Sequence, residues 1–336
     1  MEAQMAQDQT VMVIGGAGYI GSHTVLALNE AGFDTVVYDN FSTGHRDACF
    51  GAHLVEGDLA DVALLQETLR TYAVDCVVHF AALIEAGQSV LTPLPFFRNN
   101  VTGTLALLEA MTAAGLQKIV FSSTAAAYGN NTDVSMLHED LPRAPINPYG
   151  DSKVMVEQML EACVEPHGLQ AIALRYFNAC GADAAGRTGE RHDPETHLIP
   201  LVIQAAQGTR PQIYINGTDY PTPDGTCIRD YIHVTDLAAG HVAAVKKLLA
   251  TDEPGFSAIN LGTGKGLSVR EVVEAVASIS GCEFPVIEAD RRPGDPAVLV
   301  ADPTRAHDVL GWYAHHSSIE DIVRDAWAYA QKVASN

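Results

Sequence analysis

Val11-Met-Val-Ile-Gly-Gly-Ala-Gly-Tyr-Ile-Gly21 is the stretch on which the fold turns. Four apolar residues in a row read as a strand buried on both faces. Glycines follow at once, and Gly16, Gly18 and Gly21 match the G-x-G-x-x-G spacing of a dinucleotide-binding turn. Glycine there permits the tight turn, lets the backbone approach a pyrophosphate, and lets helix and strand pack closely. A helix expected over residues 22–31 then offers unpaired N–H groups and the positive end of its dipole to the anion. Asp39 closes the next apolar run, 18 residues after Gly21. A carboxylate there accepts adenine-ribose hydroxyls and repels a 2′-phosphate, so NAD is expected rather than NADP. In a chain with 28 glycines the triple arises by chance about 0.2 times, and about 0.02 times with Gly15 also required. A plain glycine turn is the weaker explanation.

Outward from that stretch the pattern repeats. Apolar runs over 11–14, 35–38, 75–80 and 118–122 alternate with apolar residues at three- and four-residue spacing over 22–31, 61–72 and 99–114. Such alternation predicts an α/β fold with a Rossmann-type doubly wound parallel sheet. A helix over about 149–163 and a strand over 170–176 continue it. After Asn178 the character changes, with Gly, Pro and charge dense through 181–194 and 216–225. The expected division is a dinucleotide-binding domain over 1–180 and a smaller C-terminal α/β substrate domain over 181–336. Segments around 229–262 are expected to pack back on the first domain. No internal repeat of solenoid or propeller period is present.

Composition excludes several classes. The 336 residues carry a formal net charge of −21. Nucleic acid and anionic membranes both recruit Lys and Arg, so neither is an expected partner. No apolar run approaches the ~18 residues of a spanning helix, and Met1 to Thr10 shows no secretory pattern. Six scattered cysteines (49, 76, 163, 180, 227 and 282) form no CxxC pair and no Cys/His cluster at zinc spacing. A cytoplasmic protein with free thiols and no metal is the expectation.

Chemistry is carried by two further motifs. Tyr149-Gly-Asp-Ser-Lys153 puts a phenol and an ammonium at i and i+4, on one helix face. A tyrosine with pKa near 10 is a poor base at neutral pH, and an adjacent cation or an oxidised nicotinamide ring favours its phenolate. Lowering that pKa by three units takes about 4 kcal/mol. Lys153 has further donors for a nicotinamide ribose. Phe121-Ser-Ser-Thr124 runs off the end of a strand, where open α/β sheets bind ligands, and Thr124 is placed to share a hydrogen bond with Tyr149 and a reacting oxygen. Glu56-Gly-Asp-Leu59 offers Asp58 to an adenine amino group; helix capping is the competing role.

These residues belong to a wider family pattern. The glycine turn, His79-Phe-Ala-Ala82, Asn99-Asn-Val101, Ser122-Ser-Thr124, Tyr149–Lys153, Arg175-Tyr-Phe-Asn178, Asp219–His233 and Arg291-Arg-Pro-Gly-Asp295 occur in order. Together they resemble the UDP-glucose 4-epimerases, which are extended short-chain dehydrogenase/reductases. The likeness runs from about Val11 to Trp327 and leaves the first ten residues as an addition. It implies a catalytic set of Thr124, Tyr149 and Lys153. It implies NAD contacts at Gly15, Gly18, Tyr19, Ile20, Gly21, Asp39, Asn40, Asp58, Leu59, Phe80, Ala81, Asn99, Ser122, Tyr149, Lys153 and Tyr176. For the UDP-sugar it implies Thr124, Tyr149, Asn178, His197, Leu198, Tyr214, Asn216, Arg229, Arg292, Asp295 and Leu299. Guanidinium forks at Arg229 and Arg292 suit a diphosphate; Asp295 suits a uridine ribose. Leu299 falls where family members restricted to glucose and galactose carry a tyrosine beside the sugar's 2-position. Ile84 stands where some members have a cofactor-contacting lysine, and Gln88 where a glutamate is common.

The implied reaction interconverts UDP-glucose and UDP-galactose. Hydride leaves sugar C4 for tightly bound NAD, the 4-keto sugar turns over, and hydride returns to the other face. UDP-pentose 4-epimerases share every motif. A dehydratase or decarboxylase is disfavoured because Ala125-Ala-Ala127 after Thr124 supplies no acid. A non-catalytic NAD-sensing regulator is disfavoured because the Thr124, Tyr149 and Lys153 set is intact. A homodimer is expected, paired through helices 99–114 and 149–163.

Overall fold

Val11 and Val13 pack toward one face of a sheet, Met12 and Ile14 toward the other, and all four are buried. That is why the run is apolar without alternation: both faces are covered. The computed structural model describes residues 9–130, 135–292 and 295–335. Residues 1–8 of the N-terminal addition and residues 293–294 of the Arg291–Asp295 motif lie outside the described residues.

In chain order the first half comprises β1 (Thr10–Ile14), α1 (Tyr19–Glu30), β2 (Asp34–Asp39), β3 (His53–Glu56), α2 (Val62–Thr71), β4 (Cys76–His79), α3 (Gly103–Ala114), β5 (Lys118–Thr124), α4 (Pro148–His167) and β6 (Gln170–Tyr176). There follow β7 (Asn178–Cys180), α5 (Leu198–Ala206), β8 (Ile213–Asn216), β9 (Ile228–His233), α6 (Val234–Leu249), β10 (Gly255–Leu261), β11 (Gly266–Ser268), α7 (Val269–Ser280), β12 (Val286–Ala289), β13 (Val298–Leu299) and α8 (Ile319–Ala334). Seven strands form one sheet in the order β10-β6-β5-β4-β1-β2-β3, and every pairing in it is parallel. The fold is the expected doubly wound α/β architecture.

Val25 and Leu28 of α1 and Leu237 and Val245 of α6 cover one face of the sheet. Leu65 and Leu69 of α2, Leu107 and Met111 of α3, and Val156 and Leu160 of α4 cover the other. Burying such side chains stabilises by about 1.5–3 kcal/mol each. A separate core gathers Ile199 and Val202 of α5, Val272 and Val276 of α7, and Ile322 and Val323 of α8. Between the two cores, β7 and β13 pair with β9, so Asn178 lies opposite Tyr231 and Leu299 opposite Arg229.

Three element boundaries differ from the sequence expectation. The first helix opens at Tyr19, directly out of the glycine turn. The helix expected over 99–114 begins as a π-helical turn, Phe97–Thr102. Asn100, buried at its centre, explains the turn: its amide donates to Leu83 O (3.0 Å) and Ser152 Oγ (2.9 Å), and its oxygen accepts from Leu83 N (2.8 Å). Finally, α4 runs on to His167 and ends at Gly168 in the left-handed region.

Candidate functional site

The glycine turn is held from both sides. Gly15 has φ +76°, and a Cβ there would stand 2.7 Å from Ala81 N; one on Gly21 would stand 2.2 Å from Gly15 O. Only glycine fits either place. Gly18 precedes α1 and offers no capping side chain, so the N-terminal N–H groups of a twelve-residue helix face the cleft uncapped. That is the arrangement an anion occupies. Asp39 braces the turn: its carboxylate accepts from Ala17 N (3.0 Å) and Phe41 N (2.8 Å).

A single cleft runs over the C-terminal ends of the sheet strands. Gly15, Gly18, Tyr19, Ile20, Gly21, Asp39, Asn40, Asp58, Leu59, Phe80, Ala81, Asn99, Ser122, Thr124, Tyr149, Tyr176, Asn178 and His197 all line it. Asp58 accepts from Asn40 Nδ2 (2.9 Å) and also from Ala60 N (2.9 Å). It therefore both faces the cleft and closes a turn. The Ala60 and Asn40 hydrogen bonds hold its carboxyl below the ordinary range.

Thr124 and Tyr149 line the cleft together, and Lys153 is buried one helical turn beyond Tyr149 on α4. Burial raises the Tyr149 pKa; a hydrogen bond from Thr124 opposes this, and the charge of Glu85 adds to it. The ammonium of Lys153 is turned to Ser122 O (2.8 Å) and sits 4.9 Å from the centre of the Phe121 ring. Burial pushes Lys153 down to about 7, against the pull of Glu157. Ser122 meanwhile bonds the Tyr176 hydroxyl.

A second cluster lies beside this cleft rather than lining it. Arg229 pairs with Asp295 and donates to Ile228 O (2.8 Å). The Arg292 guanidinium faces the side-chain amide of Asn216. Tyr214 is on the parallel β8–β12 pair, with its ring 43% exposed. Leu198, at the first position of α5, packs into the C-terminal core instead of the cleft. Leu299 and Phe177 both pack against the apolar cluster of Ala125, Tyr128 and Leu137. Phe177 lines the cleft and Leu299 stands opposite Arg229 across β13 and β9.

Sequence reading missed Glu85, His192 and Phe177 as cleft residues. It also missed a convergence of Glu190, His192, Glu195 and His197. The signal is present as Glu190-x-His-x-x-Glu-x-His197, a pattern of carboxylates with histidines that contains no cysteine. Burial works against charge on His197, yet hydrogen bonds with Glu190 and Glu195 outweigh it and carry its pKa to about 10.

Among the described residues no helix is long and apolar enough to cross a membrane. Residues 11–262 match the model of the NAD dependent epimerase/dehydratase family. The chain is 50% identical over 324 residues to a UDP-glucose 4-epimerase of Rhizobium leguminosarum bv. trifolii, covering 96% of this chain and 98% of that one. It is 49% identical over 334 residues to a UDP-glucose 4-epimerase of Azospirillum brasilense, covering 99% and 95%. The crystal structure of UDP-glucose 4-epimerase from Brucella ovis in complex with NAD superposes with a TM-score of 0.93 at 48% identity, covering 96% of this chain and 98% of that one.

Proposed function

The chain belongs to the NAD dependent epimerase/dehydratase family, and from that premise we infer that it is an isomerase interconverting UDP-glucose and UDP-galactose with bound NAD. One observation carries this reading: Thr124 and Tyr149 line the same cleft as the glycine turn, Gly15 to Gly21.

The residues present fit the dinucleotide. Uncapped N–H groups of α1 suit the pyrophosphate, Asp39 the adenine ribose, and Asp58 with Asn40 the adenine rim. NAD bound there supplies a hydride acceptor and donor for the sugar's fourth carbon, so that carbon passes through a ketone and is reduced again from its other face. Tyr149 Oη takes the proton of the 4-hydroxyl and later gives it back. Thr124, whose hydroxyl favours the ionised phenol, orients that transfer. Lys153 adds positive charge beneath the site and holds the end of β5 through Ser122 O. Asn178 and His197, from the cleft, and Asn216, Arg229, Arg292 and Asp295, from beside it, take the uridine diphosphate. Anchoring there binds the two ends of the reaction equally and leaves the sugar free to turn. Opening of the Arg229–Asp295 pair frees the guanidinium for phosphate oxygens and the carboxylate for the uridine ribose.

Ala125 and Ala127, both buried after Thr124, place no acid where elimination of water needs one. Free thiols on all six cysteines suit the cytosol. Exposed Leu105 on α3 and Met155 on α4, with Val90, Leu91 and Leu94 nearby in sequence, suit a homodimer joined along those helices. Purified protein incubated with UDP-galactose and no added NAD should form UDP-glucose. Absence of product, together with no nucleotide released on denaturation, refutes the reading.

A further inference from the structure

Residues 190–197 bring four side chains of one short segment together. Glu190, His192, Glu195 and His197 each offer a ligand atom, and these atoms lie within 4.8 Å of one another. Glu190 Oε1 is 2.9 Å from His192 Nδ1 and 2.5 Å from His197 Nδ1, while Glu195 Oε1 is 3.5 Å from His197 Nδ1. Both glutamate side chains are only 6% exposed, which carboxylates tolerate only with strong partners. The neighbouring arginines are committed elsewhere: Arg187 to Asp183 and Glu30, Arg191 to Asp47. Glu195 also accepts from the backbone N–H groups of Thr196 (2.7 Å) and His197 (2.8 Å), and the charged side chains paired with both carboxylates are the imidazoles.

We propose that these four residues hold a divalent cation of the zinc class. Bonds of about 2.0–2.2 Å in a tetrahedron put neighbouring ligand atoms about 3.3–3.6 Å apart. The four ligand atoms lie within 4.8 Å of one another, and the 2.5 Å contact of Glu190 with His197 widens by about 1 Å as the ion enters. Imidazole with carboxylate suits a borderline ion, whereas magnesium and calcium take sets of oxygens. Two carboxylates, two neutral imidazoles and one dication sum to zero, the ion replacing the proton that His197 shares with the glutamates. Four protein ligands leave no open position, so the ion does no chemistry on the sugar.

Its effect follows from its place. His192 and His197 line the cleft, and Tyr19 of the glycine turn meets the His192 ring edge-on at 6.1 Å. An ion that claims the His197 imidazole withdraws it from a nucleotide sugar. This consequence rests on the assignment of His197 to the UDP-sugar, and makes zinc and UDP mutually weakening ligands.

Tag-free protein, stripped with chelator and titrated with zinc against a chromophoric chelator, should bind one ion per chain. His192→Asn and Glu195→Gln should each weaken that binding by about 100-fold or more, since even an outer partner's loss costs up to that much. X-ray absorption of the zinc-loaded wild type should show nitrogen and oxygen neighbours and no sulfur, a readout that needs no variant. No stoichiometric zinc, unchanged affinity in both variants, or sulfur ligation overturns the site. Stoichiometric zinc whose affinity ignores saturating UDP upholds the metal site and overturns the assignment of His197 to the sugar nucleotide.

Discussion

The guanidinium of Arg175 grips the carboxylate of Glu157 with two hydrogen bonds, 2.9 and 2.6 Å long, one turn of helix beyond Lys153. Both side chains are buried, and Ser123 adds a 2.6 Å hydrogen bond to the same carboxylate. The pair ties α4 to β6 and β5 beneath the reacting groups. Glu157→Ala leaves Arg175 buried and uncompensated, and should cost about 3–5 kcal/mol in urea unfolding at pH 7. Burial raises the Glu157 pKa, but Arg175, Ser123 and Arg143 outweigh it and hold it below the ordinary value. Its stabilisation is therefore complete above the unfolded carboxylate's pKa and fades as pH falls through the folded one. Acid unfolding should be shallower in the variant; equal slopes would show that Glu157 contributes nothing through its charge.

Tyr149→Phe removes the proton acceptor and little else, for the ring remains buried among the same neighbours. Turnover of UDP-galactose should fall by 10²–10⁴-fold with UDP affinity nearly unchanged. Steady-state rates and calorimetric titration with UDP check both halves. Near-full turnover would overturn the role of Tyr149.

Thr124→Val deletes the hydrogen bond that draws the Tyr149 pKa down against burial. Tyr149 acts ionised when it takes the proton, so the acidic limb of the kcat–pH profile should move to higher pH. An unmoved limb would mean that Thr124 positions the sugar without tuning the phenol.

Leu299 governs sugar choice in this reading. It is half-buried against the cluster of Ala125, Tyr128 and Leu137, on which the cleft residue Phe177 also packs, and a tyrosine there would add bulk. Wild type should turn over UDP-N-acetylglucosamine with lower kcat/KM than UDP-glucose, and Leu299→Tyr should lose most of the former while keeping the latter. Neighbouring side chains that fill the space would appear as wild-type enzyme blind to the N-acetyl sugar.

The glycine turn and the sheet were legible because their determinants are local. Spacing of Gly16, Gly18 and Gly21 dictates the turn, and apolar runs such as Val11–Ile14 report burial on both faces. The π-helical turn at Phe97–Thr102 was not legible, because Asn100 forms it by reaching Leu83 and Ser152, which are 17 and 52 residues distant. Lys153 was assigned to its helix face correctly, but which acceptor its ammonium meets depends on where β5 ends in space. The pairing of Arg229 with Asp295, 66 residues apart, is equally invisible to spacing. The convergence at 190–197 lay between: its pattern was in the sequence, its closeness only in the loop's turn.

Strand β10 is the last to enter the large sheet, yet it borders β6, which is finished long before it. While the ribosome makes residues 177–254, the growing chain carries the unpaired flank of β6 and the sheet surface that α6 will later cover. A nascent chain stalled in that interval is open to another strand of the same kind. The first half of the chain is thus unfinished until the second half is under way, and its period of greatest exposure falls in the middle of translation.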